Sequence, residues 1–139
     1  MKKILISLSI ILISATLLVS CTNPTKVLPK KTWSYSASMT TVTTGAVNSS
    51  TPGTDAGTAT FKSDGTGTMQ SSSSGSAANS FTWSYDKSGK KMTLTMGSDV
   101  YVYDVTETKA KEEKWHGTAT WTLAGTTYTV TEDLTLTAQ

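Results

Sequence analysis

The chain has 139 residues, carrying 12 basic and 10 acidic side chains with a single His and a single Cys, a length with room for one domain and no second. Every basic residue is a lysine; Lys2 and Lys3 precede an apolar N-terminal run, and the ten others balance the ten acids. A phosphate backbone needs several cationic contacts, so a chain with no arginine and no basic block excludes nucleic acid as a partner.

Met1-Lys2-Lys3 followed by apolar residues 4–19 has the charged and hydrophobic regions of a secretory leader. Ser7, Ser9, Ser14 and Thr16 interrupt that run, which is shorter than the roughly 20 apolar residues of a membrane-spanning helix. It ends in Leu18-Val19-Ser20-Cys21, which resembles a bacterial lipobox. The resemblance implies cleavage of residues 1–20, a diacylglycerol on the Cys21 thiol and an acylated new N-terminus, and therefore a membrane partner reached through lipid. Cys21 has no second cysteine with which to form a disulfide. Residues 22–30, TNPTKVLPK, hold two prolines and no periodicity and are expected to form an extended tether, so residues 21–30 are read as lipidated Cys plus tether.

From residue 31 onward the pattern is one of strands. Trp33, Tyr35, Ala37 and Met39 alternate with hydroxyl residues, giving a first strand, and residues 47–55 read as a turn-rich loop. Residues 57–97 organise the rest. Phe61 precedes Ser63-Asp64-Gly65, a hairpin signal; residues 67–79 suggest a wide hairpin loop; Phe81, Trp83 and Tyr85 alternate with Thr82 and Ser84. After a polar turn at residues 86–90, Met92, Leu94 and Met96 repeat the alternation. Residues 99–105 carry β-branched and aromatic side chains at successive positions, as a central strand would. A charged connection at residues 109–114 leads to Trp115, Gly117, Ala119, Trp121 and Leu123 on one strand. In the last strand Glu132-Asp133 interrupts Tyr128, Val130, Leu134 and Leu136 and suggests a bulge at an exposed rim.

About eight strands joined by polar turns, with no helical period, predict an all-β domain over residues 31–139: an up-and-down antiparallel β-barrel, with a β-sandwich as the alternative. The lipobox LVSC, FKSDGTG, FTWSYDKSGKKMTLT and YDVTET together resemble small bacterial lipoproteins with a lipocalin-like domain. Many lipocalins open the first strand with Gly-x-Trp and pack an arginine of the last strand over that Trp. Here Lys31-Thr32-Trp33 occupies the first position and there is no arginine, so that closing device is missing.

Catalytic chemistry has little to stand on. His116 is the only histidine and reads as a solvent-facing strand residue; the aspartates sit in separate turns without calcium-loop spacing; no nucleophile elbow is present. The expectation is a non-enzyme without metal or cofactor. The 11 aromatic residues all follow Cys21 and are the main chemical resource. In a first reading Trp33, Tyr35, Phe61, Phe81, Trp83, Tyr85, Trp115 and Trp121 line a site for a small apolar or amphipathic ligand. In a second they fill the barrel, and an outer face near Tyr101 and Tyr103 docks another envelope protein. Thr22 and Asn23 lack the acidic residue that retains some lipoproteins in the inner membrane, and no acidic run follows Cys21. The expected address is the outer membrane, facing the periplasm.

Overall fold

Eight antiparallel strands close into a barrel in the computed structural model, which describes residues 23–45, 48–73 and 75–139 apart from the side chain of Trp121. They are β1 Thr32–Thr44, β2 Ser49–Phe61, β3 Thr66–Ser71, β4 Asn79–Asp86, β5 Lys91–Met96, β6 Asp99–Thr108, β7 Glu112–Leu123 and β8 Thr126–Ala138. Each pairs with its sequence neighbour, and β8 closes on β1 from Trp33↔Ala138 to Thr44↔Thr127. The fold is thus the up-and-down barrel and not the sandwich. Period-two alternation drives it: β1 buries Trp33, Tyr35 and Ala37 and turns Thr32, Ser34, Ser36 and Ser38 outward. Hydroxyls pair across that outer wall, as between Thr60 and Thr68 at 2.7 Å.

The core fills the half of the barrel near the start of β1. Phe61 is its hub, meeting Phe81, Trp83 and Trp115 edge-on at centroid separations of 5.3, 5.7 and 6.0 Å. Met92, Leu94 and Leu136 complete it with no exposed surface. This end is shut by a helical turn, α1 Pro24–Val27, running into a 3-10 turn at Leu28–Lys30. The segment expected to be an extended tether is therefore, from Asn23 onward, a packed plug. Asn23 caps the turn by accepting from the Thr25 N–H, and both prolines occupy opening positions of helical turns, where their missing N–H costs no intrahelical bond. Leu28 is fully buried, and its carbonyl accepts the Trp33 indole N–H at 3.0 Å. The Trp33 ring is thus held at the closed base by the backbone of the plug.

Four further expectations change. Residues 49–55 belong to β2, with Pro52 tolerated because β3 pairs with β2 only over residues 57–61, leaving that stretch an edge. Part of the supposed wide loop is β3. Glu132 and Asp133 stand in unbroken register with both neighbours; the irregularity lies instead between β6 and β7, at Val105/Glu107. β6 has strand partners on both sides only at Tyr103 and Asp104, because residues 99–102 pair with β5 and not with β7 and the β5 ladder ends at Asp104.

Strand direction sorts the charge. The ten lysines after Cys21 lie in the plug, in the three turns at the closed base, or at the starts of β5 and β7 that leave it. The loops at the opposite mouth contain none; Asp99 lies at that end, and Asp55, Glu132 and Asp133 lie midway along their strands. At the base Lys109 and Lys114 pair with Glu107, whose carboxyl their hydrogen bonds hold down to about 2, and Lys91 meets Asp104 at 2.6 Å.

Candidate functional site

Unequal pairing opens the barrel at its mouth. From the pair Tyr103↔Gly117, β6 and β7 run together only toward the base; above it β7 pairs with β8 alone through Leu123↔Thr126. The two strands fork, and between them lies a cleft of about 600 Å³ lined by Met39, Tyr101, Tyr103, Ala119, Val130 and Glu132, among others. That size lies in the range of small-molecule sites.

Tyr103 in the floor of the cleft, and Tyr35 outside its lining, are each laid over a glycine. Tyr103 stands directly opposite Gly117, and a Cβ added there would fall 2.7 Å from its ring; Tyr35 stands opposite Gly57 in the same way, at 2.8 Å. The absent side chains let both rings lie flat across the interior. Their hydroxyls reach carboxylates, Tyr103 donating to Glu132 at 3.0 Å and Tyr35 to Asp55 at 2.8 Å. Asp55 also accepts from Ser71 at 2.6 Å.

This layer separates the dry core from the open mouth, and its electrostatics follow. Burial, with the negative charges beside them, raises both phenols, Tyr35 to about 12 and Tyr103 further. Burial raises Glu132 too, only partly offset by the Tyr103 hydrogen bond, and the charge of Asp55 adds to the rise. For Asp55 burial is outweighed by hydrogen bonds from Ser71 and Tyr35, which hold it below the ordinary carboxylate value. The floor is therefore polar but internally satisfied, and the walls above it are mainly apolar, with Ser98, Asp99 and Thr118 among them.

The sequence-predicted rings divide between the two halves. Trp33, Phe61, Phe81, Trp83 and Trp115 come together in the closed core, with Tyr85 half-buried against them. Tyr35 is buried and bonded to Asp55, outside the lining of the cleft. The backbone of Trp121 stands at the mouth opposite Tyr128, its side chain lying outside the described residues, as do Cys21 and residues 1–20. Tyr103, expected on an outer docking face, is buried and points inward, because it shares the parity of Tyr101 opposite the core residues Met92 and Leu94. The cleft residues Met39, Val130 and Glu132 were not expected as site residues. Continuing the alternation from Leu134 and Leu136 places Glu132 inside, a signal hidden by treating an acid pair as an interruption.

His116 faces outward and finds a partner that the linear chain does not display, Asp133 Oδ1 on the adjacent strand at 2.7 Å from Nδ1. Among the described residues no three potential metal ligands converge. Comparison with known proteins returns no matching family model and no matching curated relative.

Proposed function

We propose that this chain is a non-catalytic lipoprotein of the bacterial cell envelope that receives a small apolar or amphipathic molecule in the mouth of its barrel. Lipid on Cys21 anchors it in the outer membrane, facing the periplasm; the lipobox-like LVSC and the lysine-led leader support this address. The observation that carries the binding reading is the cleft of about 600 Å³, in which mainly apolar walls meet the carboxylate–tyrosine floor. An apolar body would be sheltered by Met39, Val130 and Tyr101 while a polar end reaches Glu132 or solvent. The eight-stranded closed barrel accords with the resemblance to lipocalin-like lipoproteins.

The test is titration of residues 22–139 with apolar fluorescent probes, followed by displacement with fatty acids, retinoids and haem-like molecules. Saturable binding is expected, and Ala119→Trp, which fills the cleft from its wall without touching the core, should weaken it at least ~10-fold, worth about 1.4 kcal/mol. No saturable binding across that set would remove the proposal. A second reading, docking of another envelope protein, draws on Val100 and Val102, which are 61% and 49% exposed on the part of β6 that pairs with β5 but not with β7.

A further inference from the structure

Six lysines at the closed base are exposed and have no ion-pair partner among the described residues; a seventh, Lys31, is half-buried and donates to the Ala110 carbonyl. Lys26 and Lys30 lie on the plug, Lys62 and Lys111 in turns beside it, and Lys87 and Lys90 in the turn between β4 and β5; all six are exposed. Lys91, Lys109 and Lys114, by contrast, are engaged by Asp104, Glu107 and Glu112. Counting those three carboxylates with Asp64, Asp86 and Glu113, the base sets ten lysines against six acids; Asp55, Glu132 and Asp133 lie midway along their strands, and the mouth end holds Asp99 and no lysine. A chain with no net charge after Cys21 is therefore polarised along the barrel axis.

We infer that the closed base binds the anionic phospholipid surface of a membrane, with the mouth turned away from it. Two observations meet here. The free positive charge gathers on one convex end, the geometry suited to a flat surface of phosphate headgroups rather than to one small anion in a pocket. The chain also enters the barrel at this same end, where Asn23 caps the plug two residues after Cys21. A lipid on Cys21 would hold the base at the bilayer, but the electrostatic attraction acts with or without it. The carboxylate of Asp99 at the mouth is repelled by the same surface, so attraction and repulsion turn the barrel the same way. The mouth cleft then opens to the aqueous phase, independently of what it binds.

The experiment uses residues 22–139, which contain every strand pairing of the closed barrel and lack the lipidated Cys. Co-sedimentation with vesicles of phosphatidylglycerol and phosphatidylcholine, against vesicles of phosphatidylcholine alone, gives the partition coefficient at low and high salt. Binding to the anionic vesicles only, lost at high salt, is expected. Lys62→Gln, Lys87→Gln and Lys111→Gln together should lower it by ~100-fold, since one lysine near an anionic surface is worth about fivefold. Ala77→Glu, Ala78→Glu and Ser98→Glu together change the net charge equally but lie at the mouth, and should lower it by less than about threefold. Equal losses in the two triple variants, or binding without preference for the anionic lipid, would overturn the inference. So would retention on duplex DNA with no binding to vesicles.

Discussion

Replacing Glu113 by Gln should stabilise the barrel at alkaline pH and leave it nearly unchanged in acid. Glu113 is fully buried on β7; one carboxylate oxygen accepts from Thr108 Oγ1 at 3.0 Å and the Trp115 indole N–H at 3.3 Å, and the other has no partner. Burial raises its carboxyl from 4.5 to about 7, against the smaller opposing effect of those two hydrogen bonds. The folded state therefore holds this proton more tightly than the unfolded chain, and the stability linked to it is complete below pH 4.5 and lost as pH climbs through 7. At about 1.4 kcal/mol per pH unit, the loss across that window is on the order of 3 kcal/mol. Gln is neutral throughout and avoids it. Urea unfolding of residues 22–139 at several values between pH 5 and 8.5 measures the difference. The two chains should lie within about 1 kcal/mol at pH 5, with Glu113→Gln ahead by roughly 2–3 kcal/mol at pH 8.5. Glu132 titrates in both and cancels. Parallel stability profiles for the two chains would refute an uncharged Glu113 in the core.

Trp83→Ala should cost roughly 3–5 kcal/mol, because it removes a ring packed edge-on against Phe61 and strands the Lys62 and Thr66 carbonyls, each 3.1 Å from its N–H. A loss below about 0.5 kcal/mol in chemical denaturation would mean that the β4 register is wrong. Gly117→Ala should destabilise by about 1–3 kcal/mol through collision with the Tyr103 ring. Combining it with Tyr103→Ala should cost less than the sum of the two single changes, and additive losses would contradict the ring-over-glycine floor. Cys21→Ser should leave an uncleaved or soluble precursor without lipid label, and normal palmitate incorporation would exclude Cys21 as the anchor.

Much of the barrel is legible in the chain because inward and outward positions differ so sharply in chemistry. Trp33, Tyr35 and Ala37 are flanked by serine and threonine, as are Phe81 and Trp83, so parity alone assigns their faces. Asp64 reads as a turn, and it accepts from the N–H and the hydroxyl of Thr66. Position along the barrel axis is another matter. Phe61 and Tyr101 both read as inward aromatics, but one meets three rings in the core and the other stands at the cleft. Which applies depends on strand offsets and on where β6 parts from β7, and these are long-range pairings that no local pattern encodes. The plug was hidden for a different reason. Two prolines in nine polar-leaning residues suit either a tether or a pair of helical turns, and only the fit of Leu28 over Trp33 decides between them.

The methionines after Cys21 offer the most direct test of where a ligand binds. Met39 lines the cleft and is half-buried, Met92 is fully buried in the core, and Met69 and Met96 pack against that core. With methionine methyls isotopically labelled in residues 22–139, an NMR titration with a bound amphipathic probe follows all four sites at once. A ligand in the mouth should shift the Met39 signal saturably and leave Met92 in place. Saturable binding that moves Met92 while Met39 stays fixed would put the ligand among the core rings and contradict the cleft as the site.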